Sequence, residues 1–274
     1  MLKRKSIKQY RRTLSDREST ILSNLSFSGK NIFTASDIKQ YDVAKPKNLL
    51  DNLMRKRWIL KIRKGVYAIV PFEAGESGAA NYTVHSFVIA SLLVKPYYIG
   101  YWSALNYHGL TDQTPLAVYI ATTKPRNSRR ILNTEFRFVT LPARKIFGTE
   151  EVEIEKRKIN VSNVEKTIVD CLDHPEHCGG GVEEVAKALY FSKDDIDFKK
   201  LVAYAVKLGN TAVLKRLGYL AEAMGFDDWV KLLLKAKLGE GYALLDPTLP
   251  KKGRIRERWK LIVNAPVDAK RWSR

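Results

Sequence analysis

The chain has 274 residues, 48 Lys and Arg against 29 Asp and Glu, a net charge of +19 and two cysteines. Its 45% hydrophobic and 10% aromatic content can build a core, which excludes wholesale disorder, and its length makes two domains the expectation. Two cysteines are too few for a disulfide scaffold, and no run of about 18 apolar residues offers a membrane span. The start MLKRKSIKQYRR carries charge without an apolar stretch behind it, so it reads as a basic arm rather than a signal peptide, and the expected setting is the cytoplasm.

The charge is segregated. Residues 1–72 hold 17 Lys and Arg against five acids, residues 251–274 hold nine against two, and residues 73–250 hold 22 of each. A neutral body with two basic ends is the electrostatic footprint of a protein that meets a polyanion, and nucleic acid is the favoured partner. An anionic membrane surface fits less well, because neither end has the wide apolar face of an interfacial helix.

After the arm, Ser15 with Glu18 spells a capping box, and Ile21, Leu22 and Leu25 give the stripe of a short helix that Gly29 and Asn31 end. A second helix starts at Thr34 with Asp37 in the capping position. Pro46 opens a third, expected over 46–57, with Leu49, Leu50, Leu53 and Met54 on one face and Lys47, Asn48, Asp51, Asn52 and Arg55 on the other. Lys, Asn and Arg are the side chains that reach base edges in a major groove, although any surface helix also has a polar face. Residues 58–63 and 66–70 read as two strands joined at Lys64-Gly65. Three short helices followed by a hairpin describe a winged helix-turn-helix, with Arg63 and Lys64 at the tip of the wing and Arg11 and Arg12 as further phosphate contacts.

Residues 71–78 read as a linker. Beyond it, helices are expected over 85–94 and 103–108, and strands over 116–121, 135–141, 152–155 and 158–161. Ser162 with Glu165 reads as a capping box for a helix through Leu172. Further helices follow at 182–190, 196–208, 211–224 and 227–238, with Gly209, Gly218 and Gly225 near their breaks. The expected class is α+β: an N-terminal winged helix-turn-helix at 1–72 and a larger mixed α/β domain at 79–274 that ends in a helical stretch and a basic tail, 251–274.

The body holds no phosphate-binding glycine loop, no nucleophile elbow and no His-Glu-x-x-His. Cys171, His174, His177 and Cys178 offer four zinc-type ligands, but the spacing is wrong for a stapled tetrahedral site; a helix end and loop is the simpler reading, and neither metal nor cofactor is expected. Glu151, Glu153 and Glu155 alternate with Val152 and Ile154 as on a half-buried strand, and lack the lysine spacing of a restriction-type nuclease. Lys166 and Asp170, four apart on a helix, read as a surface ion pair. In the tail, Arg254, Arg256 and Arg258 alternate and would line one face of a strand, either as solvated edge charge or as a second polyanion contact.

The order of these segments resembles the AbiEi family, the antitoxin half of the AbiE abortive-infection toxin–antitoxin systems. The matching residues are Gly65-Val66-Tyr67, Ile99 to Leu105 with His108-Gly109-Leu110, Ile120-Ala121-Thr122, and Val161-Ser162 with Glu165-Lys166-Thr167 and Asp170. They continue with Pro175, Gly179-Gly180, Lys215 to Leu220 and Leu245-Asp246-Pro247. The resemblance implies a non-enzymatic repressor whose winged helix binds repeated sites in its own promoter, as an oligomer on the DNA, and whose C-terminal domain neutralises a nucleotidyltransferase-like toxin without a stable complex. Lys166, Asp170, Arg254, Arg256 and Arg258 are the candidate antitoxin surface. Two alternatives stand beside it: a stand-alone winged-helix regulator with an oligomerising or sensing domain, and a nucleic-acid-processing enzyme.

Overall fold

A computed structural model describes residues 10–80, 82–269 and 272. The arm's residues 1–9 and the tail's Lys270, Arg271 and Arg274 lie outside the described residues. The fold is a mixed α+β arrangement that divides into two compact units, residues 1–85 with 131–133, and 86–130 with 134–274.

In the first unit, α1 (Asp16–Phe27) starts at Ser15, whose hydroxyl and backbone exchange hydrogen bonds with Glu18 in the predicted capping box. A short strand that periodicity does not disclose, β1 (Ile32–Thr34), precedes α2 (Ala35–Lys39) and α3 (Pro46–Arg55). Then come β2 (Ile59–Arg63) and β3 (Val66–Ile69). The sheet runs β1-β3-β2, antiparallel throughout, with Phe33 opposite Tyr67 and Leu60 opposite Ala68. Ile21, Leu25, Ile38, Leu53 and Ile59 fill the core beneath it. Residues 71–78 are not a loose linker: they form a 3-10 turn, the Arg11 N–H donates to the Glu76 carbonyl, and Gly78 is buried.

The second unit holds α4 (Ser86–Ser91), β4 (Tyr97–Ile99), α5 (Tyr101–Tyr107), β5 (Ala117–Thr122), β6 (Arg129–Ile131, its last residue counted with the first unit) and β7 (Thr134–Thr140). It continues through β8 (Thr149–Ile154), β9 (Arg157–Ser162), α6 (Val164–Asp173), α7 (Gly181–Phe191), α8 (Phe198–Leu208), α9 (Thr211–Ala223) and α10 (Asp227–Leu233). A second small sheet closes the chain: β10 (Ala243–Leu244), β11 (Arg254–Arg256) and β12 (Leu261–Val263), in the order β10-β12-β11. The main sheet runs β6-β7-β5-β4-β9-β8, with β5 parallel to β7 and β4 antiparallel to β5.

Helix α6 is buried from Glu165 to Asp173, against α5, α7, α8 and α9. Its cap corrects the sequence reading. Ser162 ends β9, and Asn163 caps the helix by accepting from the Lys166 N–H at 3.0 Å. Gly218 corrects another: it lies inside α9, where the Trp259 ring fills the space a Cβ would need.

Candidate functional site

The polar face of α3 stands on a buried base. Leu50 and Leu53 are 2% and 0% exposed, whereas Lys47, Asn48 and Arg55 are exposed and Asn52 half-buried. Arg55 Nη2 donates to Asn52 Oδ1 at 2.7 Å, one turn away on the same face. That bond fixes the amide and leaves the exposed Arg55 its other donors. Lys56, at the end of the helix, turns inward instead and pairs with the buried Glu18. Arg17 clamps the segment before α3 by donating to the Asp42 carbonyl at 2.6 Å.

At the hairpin, Gly65 takes φ +76, the left-handed conformation this tight turn requires, and Arg63 and Lys64 are exposed beside it. The register shifts between Lys61 and Arg63, a bulge that re-aims the strand just before its tip. The Ala35 N–H donates to the Gly65 carbonyl at 3.1 Å, which ties the hairpin to the start of α2. Asp37 locks that start by accepting from the Thr34 N–H and hydroxyl and from Lys30. Those bonds, Lys30 first, lower its pKa to about 2.

Arg12 keeps an exposed side chain. Arg11 does not belong with it. Its Nη2 donates to the carbonyls of Val70 and Pro71, and its guanidinium stacks 4.3 Å above the Trp58 ring. Bonded through Nη2 to two carbonyls and stacked on a ring, Arg11 is a pin that holds 70–71 in place rather than a phosphate contact.

In the second unit the structure overturns the predicted surface pair. Lys166 and Asp170 are 0% and 1% exposed and bonded to each other. The Tyr98 hydroxyl donates to Asp170 at 2.7 Å and accepts from the Lys166 ammonium at 3.1 Å. Phe147 covers the ammonium at 4.7 Å. Burial pushes the Asp170 carboxyl up in pKa, against the downward pull of Lys166 and Tyr98. The same burial raises the Tyr98 hydroxyl well above its ordinary range. Groups so sealed meet neither partner nor substrate. The sequence did hold a signal: with Ile168, Val169, Cys171 and Leu172 distributed around it, α6 is apolar on more than one side, as a buried helix is.

Other residues that carry the family resemblance also serve close approach. Ser162 Oγ bonds Thr167 Oγ1 at 2.7 Å, and His108 Nε2 lies 2.7 Å from the Ser162 carbonyl. Asp246 accepts from the Val182 N–H at 3.0 Å, and Arg216 Nε donates to the Leu244 carbonyl at 3.0 Å.

The basic tail divides. Arg254 and Arg256 are exposed on β11, but the strand ends there, and Arg258 turns away in a 3-10 turn to pair with Glu222 at 2.8 Å. The three arginines therefore do not line one strand face. The described residues include no helix long and apolar enough to cross a membrane.

No protein-family profile and no curated protein matches this chain. Among solved structures, the RV2827C protein from Mycobacterium tuberculosis superposes with a TM-score of 0.68 at 14% identity, covering 93% of each chain. At that identity the likeness is one of fold.

Proposed function

We propose that this chain is a DNA-binding antitoxin that represses its own operon through a winged helix-turn-helix in the first unit and neutralises a nucleotidyltransferase-like toxin through the second. One observation carries the DNA-binding half: α3 exposes Lys47, Asn48 and Arg55 beside Asn52 over a buried leucine face, in a 72-residue stretch with 17 cations and five acids. In this reading α3 enters the major groove, with Asn52 and Arg55 at base edges, while Arg12, Arg63 and Lys64 neutralise phosphates. The antitoxin half rests on the AbiEi resemblance.

The burial of Lys166 and Asp170 removes two of the five candidate antitoxin residues, and that favours a second reading, a stand-alone winged-helix regulator. Co-expression separates them. If the antitoxin reading holds, the chain restores growth to cells expressing the product of the adjacent gene, and the duplex upstream of its own gene binds it more tightly than a scrambled duplex. Selective DNA binding without rescue supports the regulator; no selective binding refutes both.

A further inference from the structure

Helix α6 ends at Asp173, and the chain reverses through His174 and the 3-10 turn Pro175–His177. The turn gathers His174, Glu176 and His177 so that one ligand atom from each lies within 4.8 Å of the others. His174 Nδ1 is 2.9 Å from Glu176 Oε1, and the two imidazoles face each other at 5.9 Å with 26° between their planes. The other ring nitrogen of His174, Nε2, lies 3.4 Å from the Asp173 carboxylate. Asp173 is itself anchored by Lys145 and Asn210, each at 2.6 Å. An imidazole held from behind by a fixed carboxylate is the arrangement that orients metal-binding histidines. Tyr101 and Tyr119 wall His177 at 5.3 and 5.6 Å between ring centres. Of the cations nearby, Lys145 is held by Asp173, Arg137 is drawn aside by Glu135 at 3.0 Å and the Tyr119 hydroxyl at 3.2 Å, and Arg216 donates to the Leu172 and Leu244 carbonyls.

We propose that His174, Glu176 and His177 form a binding site for one divalent ion of the zinc class, with Asp173 as the residue that orients His174. Two imidazoles and a carboxylate suit a borderline ion; magnesium and calcium prefer oxygen ligands alone. Three protein ligands leave a coordination position open for water or a partner's ligand. The cysteines that the sequence brings to the same loop take no part: Cys171 and Cys178 are fully buried, and the Cys178 thiol points to the His174 carbonyl. The site belongs to the second unit and does not depend on the DNA-binding reading.

The test uses the full chain, freed of metal by chelator and titrated with zinc by calorimetry and with cobalt by visible absorption. The expected result is one ion per chain, a cobalt d–d spectrum of nitrogen and oxygen ligands, and no near-ultraviolet thiolate-to-cobalt band. Glu176→Gln, at an exposed position that leaves the fold intact, and His177→Ala each weaken binding at least about tenfold. His85→Ala, in the other unit, leaves it unchanged. Absence of binding, equal affinity in wild type and Glu176→Gln, or a thiolate band overturns the assignment.

Discussion

Two sets of cations, one in each unit, are handled in opposite ways. In the first, Lys47, Arg55, Arg63 and Lys64 are all exposed, supported from below by leucines and a sheet. In the second, Lys166, Lys215 and Arg216 are 0%, 3% and 4% exposed, and their donors go to Asp170 and to the carbonyls of Gly241, Leu172 and Leu244. A solvated cation costs little to hold and stays available to a polyanion. A buried one is tolerated only when paired, and then it serves the interior. Net charge by region therefore says where to look for a polyanion site, but not which cations form it.

The sharpest way to break this contrast is to remove half of the buried pair. Lys166→Met leaves Asp170 uncompensated and should cost about 3–5 kcal/mol in denaturant unfolding, with much of that loss recovered in the Lys166→Met/Asp170→Leu double variant. A cost below about 0.5 kcal/mol, as at ordinary surface positions, would mean that the pair is solvated after all. In the first unit the expected losses are in binding rather than stability. Arg55→Ala should relax base preference by about 1–3 kcal/mol in competition with mismatched duplexes, whereas Lys64→Ala should weaken all sequences alike. Identical behaviour of the two variants would refute the proposal that α3 reads the groove.

Smaller effects test the supports. Ser15→Ala breaks the capping box of α1 and should lower unfolding stability by about 1 kcal/mol. Asp37 gives a pH signature. Its folded pKa, about 2, lies below the unfolded value near 3.9, so its contribution is complete above about pH 4 and is lost as pH falls toward 2. Thermal unfolding of wild type and Asp37→Asn should accordingly converge as the solution is acidified through that window; a gap that persists at the acid end assigns the effect to something other than charge.

Local signals carried the first unit far. Ser15 with Glu18, Thr34 with Asp37, Pro46 and Lys64-Gly65 are short-range devices whose chemistry is complete within four residues, and the helices and hairpin form where they indicate. What they do not encode is long-range. The strand β1 is three residues long and exists because β3 offers it an edge. Arg11 is engaged by carbonyls 59 and 60 residues away. Lys166 and Asp170 show ordinary ion-pair spacing; the apolar residues on more than one side of α6 hint at burial, and the packing of α5, α7, α8 and α9 around the helix puts the pair inside. Gly218 resembles a helix break until Trp259, 41 residues later in the sequence, occupies the space beside it.

The central claim is that the exposed cations of the first unit bind duplex DNA. Its most direct test is the salt dependence of that binding, measured with the full chain. If about six phosphates are neutralised, log K falls linearly with log salt at a slope near −5, and Lys64→Ala makes the slope shallower by about one. A slope near zero for wild type would contradict the account.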